Sequence, residues 1–198
     1  MLKLFTWTTP NGIKPLIMLE ELGIPYETHW VDIGKGEQHK PYFLDINPNG
    51  KIPALLDDGL AVFESGAILI HLAEKSGRFL PPSGPGRAQG LEWLFFQVGG
   101  VGPMFGQLDH FLRANQKVPY GIERYAKESA RLYGVLNRRL ASVEYLAGQY
   151  GIADMATVGW ASSHERLGIS LAAYPNVARW LTLVGDRPAV QRARAMKP

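Results

Sequence analysis

Leu2-Lys3-Leu4-Phe5-Thr6-Trp7-Thr8-Thr9-Pro10-Asn11-Gly12-Ile13-Lys14 is the stretch from which the fold can be read. Its first six residues are rich in aromatic and apolar side chains and run into turn residues, which suits a strand. Behind the turn, Leu16, Leu19, Glu20 and Leu22 close on Gly23, a natural residue to end a short helix in the left-handed conformation. Asn11 is placed to cap that helix, and Pro15 is tolerable only in its first turn, where backbone N–H groups lack partners within the helix. The threonines and Asn11 are therefore expected at a strand-to-helix turn, in front of the positive end of the helix dipole. Such a turn favours a thiolate or another anion. Thr-Pro-Asn-Gly is also ordinary turn chemistry, and these residues alone do not separate the two readings.

Working outward, Tyr26 to Val31 reads as a second strand, so the chain opens β-α-β, an order that implies parallel pairing with a right-handed crossover. Gly34 to Ile46 mixes glycine, charge and Pro41 and is expected to be a loop with at most a short helix. Asn47-Pro48-Asn49-Gly50-Lys51-Ile52-Pro53 is dense in turn residues and precedes a strand over Ala54 to Asp57. Asp58-Gly59 then carries a hairpin signature into Leu60 to Phe63. Glu64 to Lys75 has a helical pattern ended by Gly77. Pro81-Pro82-Ser83-Gly84-Pro85-Gly86 reads as a linker, dividing the chain into an α/β domain over 1–80 and an all-helical domain over 87–198. In the second domain Leu91, Leu94, Phe95 and Val98 share a helical face before Gly99-Gly100-Val101-Gly102-Pro103 interrupts or kinks it. Helical periods return over Ile122 to Val143 and Val177 to Val184, and Arg187-Pro188 opens a last short helix.

The 198 residues are 46% hydrophobic, enough for a substantial core, and 21 basic against 18 acidic residues leave a net charge of only +3. No basic run interleaved with aromatics suggests a nucleic-acid surface. There is no cysteine, so structural disulfides, thiolate zinc sites and a protein-borne redox thiol are all excluded. His71, His110 and His164 lack ligand spacing, and no metal site is expected. With neither a signal pattern nor a run of membrane-spanning length, a soluble cytoplasmic protein without a membrane partner is the expectation.

A β-α-β-β-α domain with Ile52-Pro53 before its third strand and Glu64-Ser65 opening its last helix, followed by an all-helical domain, resembles the cytosolic glutathione transferases. Within them Thr9-Pro10-Asn11-Gly12, Asp32-Ile33-Gly34-Lys35-Gly36, Asn47 to Pro53, Phe63 to Ala67, Trp93 to Gln107 and Ile122-Glu123-Arg124-Tyr125 together resemble the nu class. The resemblance spans essentially the whole chain and implies a thioredoxin-like N-terminal domain. It also implies a homodimer and glutathione-dependent disulfide-bond reduction. One departure is Gly151, where the family often has Ser or Thr capping the Ile152-Ala153-Asp154 helix. Glycine in place of a hydroxyl cap costs a few tenths of a kcal/mol.

For the site, the resemblance implies that Ile52, before a cis-proline, pairs its backbone with the cysteinyl part of glutathione like an added strand. Glu64 would take the γ-glutamyl ammonium and Ser65 its carboxylate, while Gln38 and Lys51 donate to the glycyl carboxylate. Arg124 would reach glutathione bound by the neighbouring subunit. Thr9 is the implied thiol partner, its hydroxyl donating to sulfur and so favouring the thiolate, with Asn11 as a second donor. Thr6, Thr8 and Trp7 are rival donors. Met104, Phe105, Gln107 and Phe111 are candidates to wall the second-substrate pocket. The alternatives are conjugation of hydrophobic electrophiles by the same thiolate and, from another class, a non-catalytic glutathione-binding or regulatory module.

Overall fold

The computed structural model describes residues 1–198. Strand β1 (Leu2–Thr6) leads through the turn into helix α1 (Ile13–Leu22), and β2 (Tyr26–Trp30) returns parallel to β1, with Leu2 opposite Tyr26 and Thr6 opposite Trp30. Two short 3₁₀ turns, Ile33–Lys35 and Glu37–His39, and a one-turn helix α2 (Pro41–Leu44) fill the segment expected to be mainly loop. Strands β3 (Ala54–Asp57) and β4 (Leu60–Phe63) form the hairpin, and β3 runs antiparallel to β1. The sheet order is β2-β1-β3-β4, and α3 (Ser65–Ser76) closes the α/β half. Helix α4 (Gly84–Phe96) begins inside the stretch read as a linker. Gly84, Pro85 and Gly86 enter its first turn, where proline is accommodated.

The Gly-Gly-Val-Gly-Pro interruption is a π-turn, Gln97–Val101, that joins α4 to α5 (Gly102–Arg113) without ending the helical path. The long α6 (Pro119–Leu140) stops before Val143, and α7 (Ile152–Ala161), α8 (Pro175–Gly185) and α9 (Pro188–Ala195) complete the chain.

Alternation along β1 explains how the halves are joined. Leu2 and Leu4 face a cluster of 34 buried apolar residues that runs through α1 and α3 into α4 to α9. Phe5 points the other way, to a small second cluster with Val31, Phe43 and Ala54. Helix α9 folds back onto α1, where Arg187 pairs with Glu21 at 2.6 Å and Arg192 with Glu20 at 2.6 Å.

At the start of α7 the missing hydroxyl cap has a steric reason. A Cβ on Gly151 would lie 2.6 Å from the carbonyl oxygen of Phe79, which instead accepts from the Ile152 N–H at 3.1 Å. The buried carboxyl of Asp154 accepts from Gly151 N–H (3.1 Å), Leu146 N–H (3.0 Å) and the Trp180 indole N–H (2.8 Å). Burial pushes it up to about 6 against the pull of these donors. Asp154→Ala strands three buried donors at once and is expected to cost about 3–5 kcal/mol in a urea titration. A loss under 1 kcal/mol would show that water replaces the carboxylate there.

Candidate functional site

Thr9 and Asn11 sit in the turn between β1 and α1, but their local roles differ from the expected ones. The residue preceding α1 is Gly12, and no side chain caps the helix as Asn11 was expected to. Thr9 organises the turn instead: its Oγ1 accepts from the Gly12 N–H at 3.0 Å and its carbonyl from the Ile13 N–H at 3.1 Å. The Thr9 hydroxyl proton remains free to donate.

Asn11 is turned away from the helix because Trp160 on α7 donates its indole N–H to Asn11 Oδ1 at 3.0 Å. An indole N–H only donates, so it selects the amide oxygen and leaves the Asn11 NH₂ facing outward. The helix can come this close because residue 159 is glycine; a Cβ there would lie 2.7 Å from the Pro10 carbonyl oxygen.

Two adjoining clefts meet at Asn11, Lys51, Ile52 and Trp160. The first, of about 380 Å³, also holds Glu64 and Ser65 on α3 and Gln97 on the π-turn. The second, of about 460 Å³, also holds Thr9, Gln38, Asp109 and Arg166. The structure thus gathers Thr9, Asn11, Gln38, Lys51, Ile52, Glu64 and Ser65 around one continuous depression. The Ile52–Pro53 peptide bond is cis. Separately, neither the N–H nor the C=O of Ile52 is hydrogen-bonded within the chain. Asn47 holds this loop, donating to the Lys51 carbonyl at 2.6 Å and accepting from the Asn49 N–H at 2.9 Å. Glu64 has φ +69°, a costly left-handed backbone for a non-glycine residue, of the kind that collects at ligand clamps.

Arg124 is not part of this depression. It lies on α6 beside Met104, Tyr120 and Arg131, over a separate hollow of about 680 Å³, and makes no ion pair or hydrogen bond in its own chain. Three of the four expected pocket residues, Met104 among them, are also elsewhere. Phe105 is fully buried, its ring stacked on Tyr133 at 4.8 Å, because core packing at helical spacing claims it. Phe111 stacks on Tyr125 at 5.5 Å, and of the four only Gln107 lines the first cleft. Among the rival donors, Thr6 is buried and donates to the Gly12 carbonyl at 2.9 Å, whereas Trp7 and Thr8 do line the second cleft.

Three residues here escaped the reading of the sequence: Trp160, Gln97 and Lys14. Lys14 is 2% exposed, and its Nζ donates to Gln97 Oε1 at 2.9 Å and Ser65 Oγ at 3.3 Å. Burial pulls it down to about 7, against the opposing charge of Glu64. A signal was present in the sequence. A lysine in the first turn of a helix sits at the wrong end of the dipole, and here it lies between Ile13 and Pro15-Leu16.

Residues 1–74 match the family model described as glutathione S-transferase, N-terminal domain, and residues 121–188 match the corresponding C-terminal domain. The chain is 49% identical to the disulfide-bond oxidoreductase YfcG of Escherichia coli over 98% of its own length and 94% of that protein's. The chain belongs to the glutathione S-transferase family. The structure of a glutathione transferase family member from Pseudomonas fluorescens with two glutathione bound superposes with a TM-score of 0.92 at 42% identity, covering 98% of this chain and 92% of that one. A glutathione transferase from Pseudomonas putida, with one glutathione disulfide bound per subunit, superposes at 0.93 and 41% identity, covering 100% and 92%. No helix of this transferase is long and apolar enough to cross a membrane, and no cluster of side chains could hold a metal ion.

Trp160→Phe removes the donor that orients Asn11 and part of a buried ring. It is expected to cost about 2 kcal/mol in stability. It should also shift the two Asn11 side-chain amide proton signals toward the positions of a solvated asparagine in an NMR spectrum; unchanged shifts would mean that Asn11 is held by something else.

Proposed function

We propose that this transferase reduces disulfides with the sulfur of bound glutathione. The observation that carries the reading is the meeting of two clefts at Asn11, with the Thr9 hydroxyl lining the second, in a chain with no cysteine. In the first cleft the γ-glutamyl end lies toward Glu64 and Ser65, with the unpaired backbone of Ile52 taking the cysteinyl unit. At the junction Lys51 and, from the second cleft, Gln38 take the glycyl carboxylate. Gln38 Oε1 is buried without a partner, and its Nε2 lies 3.2 Å from His39 Nε2.

Thr9 and Asn11 donate to sulfur and favour the thiolate over the thiol. The thiolate attacks one sulfur of a substrate disulfide, forming a mixed disulfide and releasing one substrate thiolate, which takes a proton from water. A second glutathione, entering the second cleft, attacks the glutathione sulfur of the mixed disulfide and releases the other substrate thiol with glutathione disulfide. Two glutathiones are oxidised for each disulfide reduced. The relatives holding two glutathiones or one glutathione disulfide support this stoichiometry, and the name of the Escherichia coli relative supports the reaction class.

The working unit on this reading is a homodimer of the nu class. Arg124, unpaired in its own chain, and the exposed Phe95 and Tyr120 on α4 and α6 are the features that support a second copy. A second reading, conjugation of hydrophobic electrophiles, is favoured by a 290 Å³ cavity on the far side of Thr9 that includes Trp7, Trp30 and Met196. The ratio of turnover on hydroxyethyl disulfide to that on an aryl halide decides between them; a ratio below one favours conjugation.

Thr9→Ala is expected to lower disulfide turnover about tenfold near neutral pH by raising the bound thiol toward its free value, with Thr9→Ser largely restoring it. An unchanged Thr9→Ala with an inactive Asn11→Ala would make Asn11 the principal donor. Arg124→Ala is expected to raise KM for glutathione about tenfold, equivalent to ~1.4 kcal/mol, with kcat little changed. An unchanged KM in a protein that sediments as a dimer would remove Arg124 from the site.

A further inference from the structure

Lys14 is a buried cation with no anion bonded to it. Its two hydrogen-bond partners, Ser65 Oγ and Gln97 Oε1, are neutral, and it forms no salt bridge. Isolated buried ammonium groups are costly and are retained where something compensates them. Beside it, Gln97 is fully buried, and its Nε2 has no hydrogen-bond partner although the residue lines the first cleft. A positive charge bonded to the Ser65 hydroxyl and, beside it, an amide with an unused N–H donor thus line the cleft, an arrangement that asks for a carboxylate.

We propose that Lys14 and Gln97 form the floor of the γ-glutamyl subsite, with Lys14 as the buried countercharge to the α-carboxylate that Ser65 receives. The inference rests on the glutathione reading above. Glu64, at the start of α3, would take the ammonium of the same amino-acid end, so the two charges of the zwitterion meet two opposite charges. Glu64 is the charged neighbour that acts on Lys14; its bonded partners Ser65 and Gln97 and the Asn11 and Trp160 that line the same cleft are uncharged, and Lys51 is on the exposed rim.

Binding is then coupled to proton uptake on Lys14, and the direction follows from burial, which leaves Lys14 titrating at about 7 in the free protein. A carboxylate raises that value, so the bound lysine is charged where the free one is only half so. Binding therefore takes up a fraction of a proton that grows as pH rises through about 7, and affinity falls over the same range.

The test is calorimetric titration of the full-length protein with S-methylglutathione, which has no ionisable thiol, in buffers of different ionisation enthalpy. Wild type is expected to show the proton uptake and the pH slope. Lys14→Met should bind at least tenfold more weakly at pH 6, with neither. Lys14→Arg, permanently charged, should bind at pH 6 without a slope. An analogue lacking the γ-glutamyl α-carboxylate should bind wild type without proton uptake. Wild-type binding with no proton uptake, or undiminished affinity in folded Lys14→Met, overturns the role of Lys14 while leaving the glutathione reading intact. No binding by wild type at all overturns both. Because the proton count is measured on wild type, the result does not depend on either variant folding.

Discussion

The chemistry of the site depends on how closely α7 approaches the turn after β1. Gly159 allows the helix backbone to lie against Pro10, and Trp160, one residue on, reaches Asn11 across 149 positions of sequence. Without that contact Asn11 would be free to cap α1, the role its position invites, and its amide would not be presented to the cleft. The helical half therefore determines which face of an α/β residue is available, so the site belongs to both halves at once. Thr9 stays in the turn for the complementary reason that its own oxygen bonds Gly12, which fixes the hydroxyl without consuming its proton.

The same closeness explains the polar floor. Gln97 belongs to a π-turn, a local widening of the helical path, and its Oε1 meets a lysine from α1 across the junction. Helix α1 contributes the lysine, α3 the serine, the π-turn the amide and α7 the indole. Each is anchored in the one large apolar cluster, so four polar groups converge from four rigid elements instead of from loops.

The elements that were legible in the sequence are those specified locally. The alternation of β1, the Asp58-Gly59 hairpin, the cluster of turn residues before Pro53 and the Gly-Gly-Val-Gly-Pro interruption all carry their structural meaning within a few residues. The helix start at Glu64-Ser65 is likewise a local signal. Side-chain partners across the chain were not legible. Asn11 looked like a cap because its competitor is far downstream, and Phe105 looked like a pocket wall because the spacing that exposes an aromatic also serves to bury one. Lys14 was overlooked because lysine is ordinarily solvated, and only the packing of α3 and the π-turn over α1 removes its water.

The continuous apolar cluster also bears on how the cleft is entered. Two domains joined by a thin, wet interface swing about their linker, but here parting the halves would bare residues from β1 through α9 together. The slot is consequently preorganised: its width and the directions of its donors exist before any ligand arrives. A tripeptide entering it loses its own freedom but does not have to close the protein around itself, and that lowers the free-energy cost of being held.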